Sequence, residues 1–348
     1  MSLVTSRLRL FVALVRPPVL VLFALYAALG ASGGGRAEDP LLLARILLPV
    51  TAFLLFSVAC NDLADERIDR VNLAGDPRRP LVVGGGALRR EMITAAAVGA
   101  PVALGGGFLL GVGPGVVLAL GLAVSAGYSL HPVRLADRGA LASLALPACY
   151  VATPYLVGRL ATAPRVGGRE LLFLAGLYVG FIGRILLKDF RDLRGDALFG
   201  KRTFLVRHGR VATCALSAVC WTLGTGLLLA GLPPATPEFV LASLLDCAAV
   251  LWLLLRLARE THPHREERLI SAVAILGRGL LLLLLAHLAA PHLRYHGRPP
   301  EDAITLALLV LTLGQTHAIL RHGPAVRRHV PTRYRDAAGP LKADRRGL

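Results

Sequence analysis

The sequence predicts an all-α fold, a multi-pass transmembrane helical bundle of nine to ten helices. Hydrophobic residues make up 55% of the 348-residue chain and charged residues only 18%. The mean hydropathy is +0.60, which is far from that of an ordinary soluble domain. Apolar runs long enough to cross a bilayer lie at residues 10–32, 42–60, 93–112, 115–132, 140–160, 170–187, 211–231, 237–257, 268–290 and 303–321.

The basic residues between these runs alternate in density. The segments that follow even-numbered runs are rich in basic residues: six Arg between 61 and 91, seven Lys or Arg between 188 and 210, four Arg between 256 and 268, and eight basic residues in the tail from 321. The turns that follow odd-numbered runs hold six basic residues altogether. This asymmetry follows the positive-inside rule. We expect a cell-membrane protein with both termini and both acidic loops in the cytoplasm, ending in a basic cytoplasmic tail at 323–348. The uneven distribution explains the net charge of +17 better than nucleic-acid binding does, so no nucleic-acid partner is expected.

The cysteines and histidines give no sign of a disulfide framework or a zinc site. All five cysteines lie in or at the edge of apolar runs without a CxxC pair: Cys60, Cys149, Cys214, Cys220 and Cys247. The ten histidines form no HExxH motif. We interpret the cysteines as small packing residues.

Two acidic segments repeat one another at points where an apolar run meets water. They read NDLADERID, from Asn61 to Asp69, and KDFRDLRGD, from Lys188 to Asp196. Each places carboxylates at i, i+3 and i+7, on one face of a helix. Such like charges repel unless a cation holds them, and Mg²⁺ typically takes one or two carboxylates together with substrate phosphates. The alternative is a pair of solvated helix ends balanced by neighbouring Arg, but acids at the membrane edge are usually functional.

The repeat of the acidic segments suggests a weak internal duplication. We expect one transmembrane domain at 1–322, made of two four-helix pseudo-repeats at about 10–135 and 140–260, with extra C-terminal helices at 268–321. The two halves would share one orientation and surround a central cavity, as in membrane proteins with parallel repeats.

These segments resemble the motifs of a known family. NDLADERID matches the NDxxDxxxD motif of the UbiA superfamily of intramembrane polyprenyltransferases, and KDFRDLRGD, followed by the letters GKRT at 200–203, resembles its second aspartate motif. The letters RRPL at 78–81 resemble the stretch after the first motif, and YSLHPVR at 128–134 resembles the tyrosine-containing turn after the fourth helix. The resemblance covers roughly 10–290. One motif alone is a weak signal, whereas two in the right places are specific.

The resemblance implies a metal-bound diphosphate. Mg²⁺ would bridge the diphosphate of a polyprenyl donor, held by Asn61, Asp65, Asp69, Asp192 and Asp196. Asp62 and Asp189 would be further ligands or would support the ligands. Asp65 and Asp192 would be catalytic through the metal, and Tyr128 would orient the diphosphate or the allylic cation. The alternative for Tyr128 is an aromatic residue at the membrane interface.

Several basic residues are candidates for contacts to the phosphates. They are Lys188, Arg134, Lys201, Arg79 and Arg67. We favour Lys188, Arg134 and Lys201, because they flank the two motifs or the tyrosine-containing turn; the alternative for each is a positive-inside anchor. The chain departs from the usual nine spans of the family in its tenth run at 303–321, and it has Pro132 within the tyrosine-containing turn.

Three functions remain open at this point. The first is a Mg²⁺-dependent prenyltransferase that moves a polyprenyl group to an aromatic acceptor, either a quinone precursor or a natural product. The second is a membrane terpene cyclase of the same superfamily, which needs no acceptor. The third is an ion-coupled transporter; transporters more often place coupling carboxylates near the bilayer midplane, whereas these lie at helix ends. That placement favours an enzyme.

Overall fold

The computed structural model describes residues 14–34, 39–72, 86–191, 193, 203–233, 235–293 and 301–324. Within those ranges the chain is helical and contains no strand. The helices, numbered in chain order, are α1 (Pro17–Ser32), α2 (Pro40–Ala64), α3 (Glu66–Asn72), α4 (Gly86–Leu110), α5 (Val112–Ser129), α6 (Ala140–Pro147), α7 (Thr153–Thr162), α8 (Gly168–Leu186), α9 (Phe204–Gly231), α10 (Pro237–Arg259), α11 (Pro263–Leu293) and α12 (Glu301–His322).

The helix starts carry the residues that satisfy free backbone N–H groups. Asp39 accepts a hydrogen bond from the backbone N–H of Leu42 at 3.0 Å, and Thr203 and Thr236 cap α9 and α10 in the same way. Proline stands in the first turn of α1, α2 and α10, where its missing N–H leaves no hydrogen bond unmade. The local sequence therefore sets where these helices begin.

The prediction of a multi-pass membrane bundle is confirmed. Nine segments of the described residues are long and apolar enough to cross a membrane, and α1 is a shorter apolar helix. The fifth predicted run, 140–160, is not one regular helix: α6 and α7 are joined by a π-helical turn at Ala148–Ala152. The tenth predicted run, 303–321, corresponds to a candidate span at Ala303–His322.

Glycine lets pairs of helices approach closely. A Cβ atom on Gly30 of α1 would collide with the Tyr155 carbonyl of α7, and one on Gly158 of α7 would collide with the Ala27 carbonyl of α1. On the other side of the bundle, a Cβ on Gly224 of α9 would lie 2.9 Å from the backbone nitrogen of Gly180 in α8. Small residues at such crossings are the usual means of association in lipid, where burial of apolar surface gives no drive.

The core divides into two packed groups. One joins α1 with α7 to α11, and the other joins α1 with α2, α4, α5 and α7. All five cysteines are buried and free, as packing residues would be. The predicted pseudo-repeats and the domain limits stay predictions. The tail beyond residue 324 lies outside the described residues.

Candidate active site

The first acidic segment bends at its central carboxylate. Helix α2 ends at Ala64, Asp65 has non-helical dihedrals (φ −98°, ψ 9°), and α3 begins at Glu66. The turn is held by backbone bonds: the N–H of Asp65 donates to the Asn61 carbonyl at 2.9 Å, and the N–H of Asp69 donates to the Asp65 carbonyl at 2.8 Å. The segment thus presents its carboxylates at a helix break at the end of a membrane span.

Arg134 ties this segment to the turn after α5. Its Nη2 donates to Asp65 Oδ1 at 2.8 Å and its Nε donates to Asp137 Oδ2 at 2.6 Å. Its Nη1 reaches the Ser129 carbonyl at 3.2 Å. Burial disfavours its charge, but the hydrogen bond that it donates to Asp137 and the negative charge of Asp65 act the other way, and the pKa of Arg134 is raised above its ordinary value. It stays a cation beside Asp65.

Arg16 contacts the first acidic segment, and sequence reasoning did not single it out. Its Nη2 forms an ion pair with Asp62 Oδ1, and the side chains are only 23% and 6% exposed. The signal was present in the sequence, since Arg16 lies within the first apolar run, and an ionisable residue at that depth suggests function. Arg16 (φ 47°) and Arg134 (φ 37°) are the non-glycine residues with positive φ in the described chain. This conformation is costly for a side chain with a Cβ, and here it serves to aim both guanidinium groups at one acidic segment.

Tyr128 is under the electrostatic influence of both acidic segments. It stands in the last turn of α5, and Lys188, Asp65 and Asp189 all act on it electrostatically. Lys188 is exposed and Asp189 is half-buried. Charged groups of both segments therefore act on this one tyrosine.

The start of the second segment is held in place by side chains of α9 and α11. Phe190 is buried, and the guanidinium carbon of Arg210, on α9, lies 5.0 Å from the centre of its ring. Arg210 is itself held by Glu266 of α11, at 2.6 Å from Nη2 to Oε2. Next to it, Arg191 Nη2 donates to Ser271 Oγ of α11 at 3.2 Å. These contacts hold Phe190 and Arg191, at the start of the segment, against α9 and α11.

The other predicted site residues are either exposed or outside the described part of the chain. Arg67 is exposed on α3, and its neighbour Glu66 forms an ion pair with Arg89 at 2.8 Å. Arg79, Asp192, Asp196 and Lys201 lie outside the described residues. Within the described part of the chain, no group of three His, Cys, Asp or Glu side chains comes together as a metal site. The oxygen ligands of Asp65 and Asp69 suit a hard cation, and such a site needs further carboxylates from the second segment.

Comparison with proteins of known sequence finds relatives along most of the chain. The family model described as "UbiA prenyltransferase family" matches residues 20–277. The bacteriochlorophyll synthase 34 kDa chain of Chloroflexus aurantiacus is 32% identical over 202 residues, which are 57% of this chain and 61% of that protein. The match thus spans about three fifths of that relative's length. A digeranylgeranylglyceryl phosphate synthase of Methanopyrus kandleri is 29% identical over 81% of this chain and 99% of its own.

Comparison with solved structures finds the same fold. A structure of digeranylgeranylglyceryl phosphate synthase has a TM-score of 0.63, with 16% identity, over 81% of this chain and 99% of its own. A UbiA homologue from Archaeoglobus fulgidus, bound to GPP and Mg²⁺, has a TM-score of 0.58, with 15% identity, over 80% of this chain and 99% of its own. The fold, the two acidic segments and the match of the family model over most of the chain agree, and the protein belongs to the UbiA prenyltransferase family.

Proposed function

We propose that this protein is a Mg²⁺-dependent intramembrane prenyltransferase that moves a polyprenyl group from its diphosphate to an aromatic acceptor. The observation that carries the proposal is that Asp65 of the first acidic segment and Lys188 and Asp189 of the second all act electrostatically on Tyr128, in the last turn of α5. Support for the donor comes from the A. fulgidus homologues, solved with GPP or with DMAPP and Mg²⁺. The residues that would hold the metal are Asn61, Asp65, Asp69, Asp192 and Asp196.

The reaction breaks the allylic C1–O bond of the donor. The electron pair of that bond leaves with the diphosphate, the acceptor forms a new bond to C1, and the acceptor's proton passes to water. Bound Mg²⁺ would neutralise the charge that develops on the leaving diphosphate. In this scheme Lys188 and Lys201 add positive charge at the same place, where it stabilises the transition state more than the ground state.

Arg134 and Arg16 act in this proposal as positioning residues. Each holds one carboxylate of the first segment by a charge-assisted hydrogen bond, Asp65 and Asp62 respectively. Such bonds fix the direction of the oxygens before substrate binds, and pre-organised charge needs no rearrangement during reaction. In this proposal the main role of Arg134 is to hold Asp65, and contact with the phosphates is a secondary role.

The names of the relatives suggest other acceptors to test besides aromatic compounds. The relatives include a bacteriochlorophyll synthase and a digeranylgeranylglyceryl phosphate synthase, so bacteriochlorophyll precursors and glyceryl phosphates belong beside aromatic acids among the acceptors to test. We also propose that the acidic segments face the cytoplasm, as the positive-inside rule indicates.

The test is diphosphate release by the purified protein with prenyl diphosphates of several lengths, with and without acceptors, and mass analysis of the lipids. We expect release that needs both Mg²⁺ and an acceptor. Asp65→Asn should lower turnover by at least about 100-fold, whereas Asp39→Asn, at the exposed N-cap of α2, should not. Release without acceptor that yields a cyclic hydrocarbon would assign a terpene cyclase instead, and full activity in EDTA would remove the metal from the proposal.

A further inference from the structure

A pocket inside the membrane part of the bundle contains an arginine. It lies between α1, α8, α9 and α11, and glycine and apolar side chains form most of its wall. Its polar members come from three helices: Tyr26, Arg184, Trp221 and Thr225. Arg184 is half-buried and the other three are buried. No acidic residue lines this pocket.

Arg184 points into the bundle and not toward the acidic segments. It precedes Lys188 by four residues on the same chain segment, which is about 6 Å along a helix axis. Side chains on a helix lean toward its N-terminus, and the Arg184 guanidinium accordingly lies over the ring of Phe181, 6.0 Å from its centre. For α8 that direction leads from the acidic segment into the pocket.

No described carboxylate neutralises this guanidinium. The groups that act on Arg184 are Tyr26, Tyr150 and Arg278, and Arg278 is itself a cation. The indole Nε1 of Trp221 is also buried without a hydrogen-bond acceptor among the described residues. The pocket thus gathers a guanidinium and an indole N–H without a carboxylate beside them. A charge held in this way inside a membrane is costly and usually marks a site of function.

We propose that the Arg184 pocket binds an anionic group, a carboxylate or a phosphate, of the acceptor substrate. A guanidinium offers paired N–H donors that match either group, and the Trp221 N–H supplies a further donor. Arg184 is then a residue that determines acceptor specificity. This inference rests on the proposed prenyltransferase function and names the chemistry of its second substrate.

The experiment compares acceptors that differ only in charge. The purified full-length protein in detergent is titrated, without donor or Mg²⁺, with 4-hydroxybenzoate and its methyl ester, and with a 1-O-alkylglycerol phosphate and the matching 1-O-alkylglycerol. The variants are Arg184→Met, which removes the charge, and Arg184→Lys, which keeps it. Trp221→Phe removes only the indole N–H. Tighter binding of 4-hydroxybenzoate than of its methyl ester would identify a carboxylate as the bound group. Tighter binding of the alkylglycerol phosphate than of the alkylglycerol would identify a phosphate.

We expect the wild type to bind the anionic member of one pair at least about tenfold more tightly than its neutral partner. Arg184→Met should abolish this preference, Arg184→Lys should retain most of it, and Trp221→Phe should weaken anion binding by about two- to tenfold. The KM for the prenyl diphosphate should change less than about twofold. If Arg184→Met does not fold, Trp221→Phe still tests the pocket, since unchanged anion binding in that variant would contradict it.

The two proposals fail in different ways. Equal binding of charged and neutral partners by the wild type, or a preference that survives in Arg184→Met, would overturn the pocket while leaving the transferase intact. A raised donor KM in Arg184→Met, with an unchanged acceptor preference, would mean that Arg184 binds the diphosphate. Absence of diphosphate release with every donor would overturn the transferase, and the binding titrations would still decide the pocket.

Discussion

At the scale of single residues, the site depends on arginines that hold carboxylates in place. Arg16 pairs with Asp62 and Arg134 pairs with Asp65, and all four side chains are less than one quarter exposed. Both arginines adopt a left-handed backbone conformation, which persists only where the surroundings impose it. The pairs therefore act as fixed supports for the first acidic segment.

The Arg16–Asp62 pair predicts a measurable coupling. Arg16→Met leaves Asp62 buried without its guanidinium, and breaking a buried pair in this way costs about 3–5 kcal/mol. We expect a clear loss of thermal stability in detergent. The double variant Arg16→Met/Asp62→Asn should recover part of that loss, because Asn at position 62 carries no charge that must be buried. Additive losses in the double variant would show that the two side chains do not stabilise each other.

At the scale of helices, the crossing of α1 and α7 depends on Gly30 of α1 and Gly158 of α7. A Cβ on Gly158 would overlap the Ala27 carbonyl of α1, whereas one on Gly226 of α9 would meet nothing within 4 Å. The overlap involves backbone atoms, which cannot turn aside as a flexible side chain can. The separation of α1 from α7 is therefore set at this crossing.

This crossing predicts opposite effects for one substitution at two sites. Gly158→Ala forces α1 and α7 apart and should lower the thermal stability, by about 1–3 kcal/mol of overpacking. Gly226→Ala adds a methyl group in open space and should leave stability unchanged or raise it by about 0.5–1 kcal/mol. Melting curves of the two purified variants against the wild type provide the measurement. A Gly158→Ala protein as stable as Gly226→Ala would contradict the close crossing.

At the scale of the whole molecule, α12 adds a helix beyond the family match. That match ends at residue 277, within α11, while the candidate span Ala303–His322 follows it. Helix α12 packs against α11, where Gly279 leaves room for Thr312. One more crossing reverses the side of the membrane on which the chain leaves the bundle. With α12 as a span, the end of α12 faces the same side as the two acidic segments.

This topology predicts the outcome of reporter fusions. A fluorescent protein fused after Gly323 should be fluorescent in bacterial cells, and alkaline phosphatase at the same point should be inactive, because both report a cytoplasmic position. Fusions after residue 298, before α12, should give the reverse. Identical results at the two points would mean that α12 does not cross the membrane.

The sequence alone supported much of this description. Runs of apolar residues predicted the spans, since length and hydropathy are local properties. The matched acidic segments predicted a paired site and the class of enzyme. The break of the fifth span at Ala148–Ala152 was not predicted, because a π-helical turn leaves the apolar pattern unchanged. The roles that the motifs predict stay predictions for four residues that lie outside the described ones: Asp192, Asp196, Lys201 and Arg79.

Tertiary structure alone decided which distant side chains meet. Arg16 and Asp62 are 46 positions apart, and the Arg184 pocket joins residues of α1, α8, α9 and α11. No periodicity links such residues, because their meeting depends on how each helix is rotated and how closely glycine lets its neighbours approach. The sequence by itself determined the membrane spans, the two acidic segments and the family. The packing of the helices determined which charges are paired and which arginine stands alone in a pocket, since in lipid it is close contact between helices that sets their arrangement.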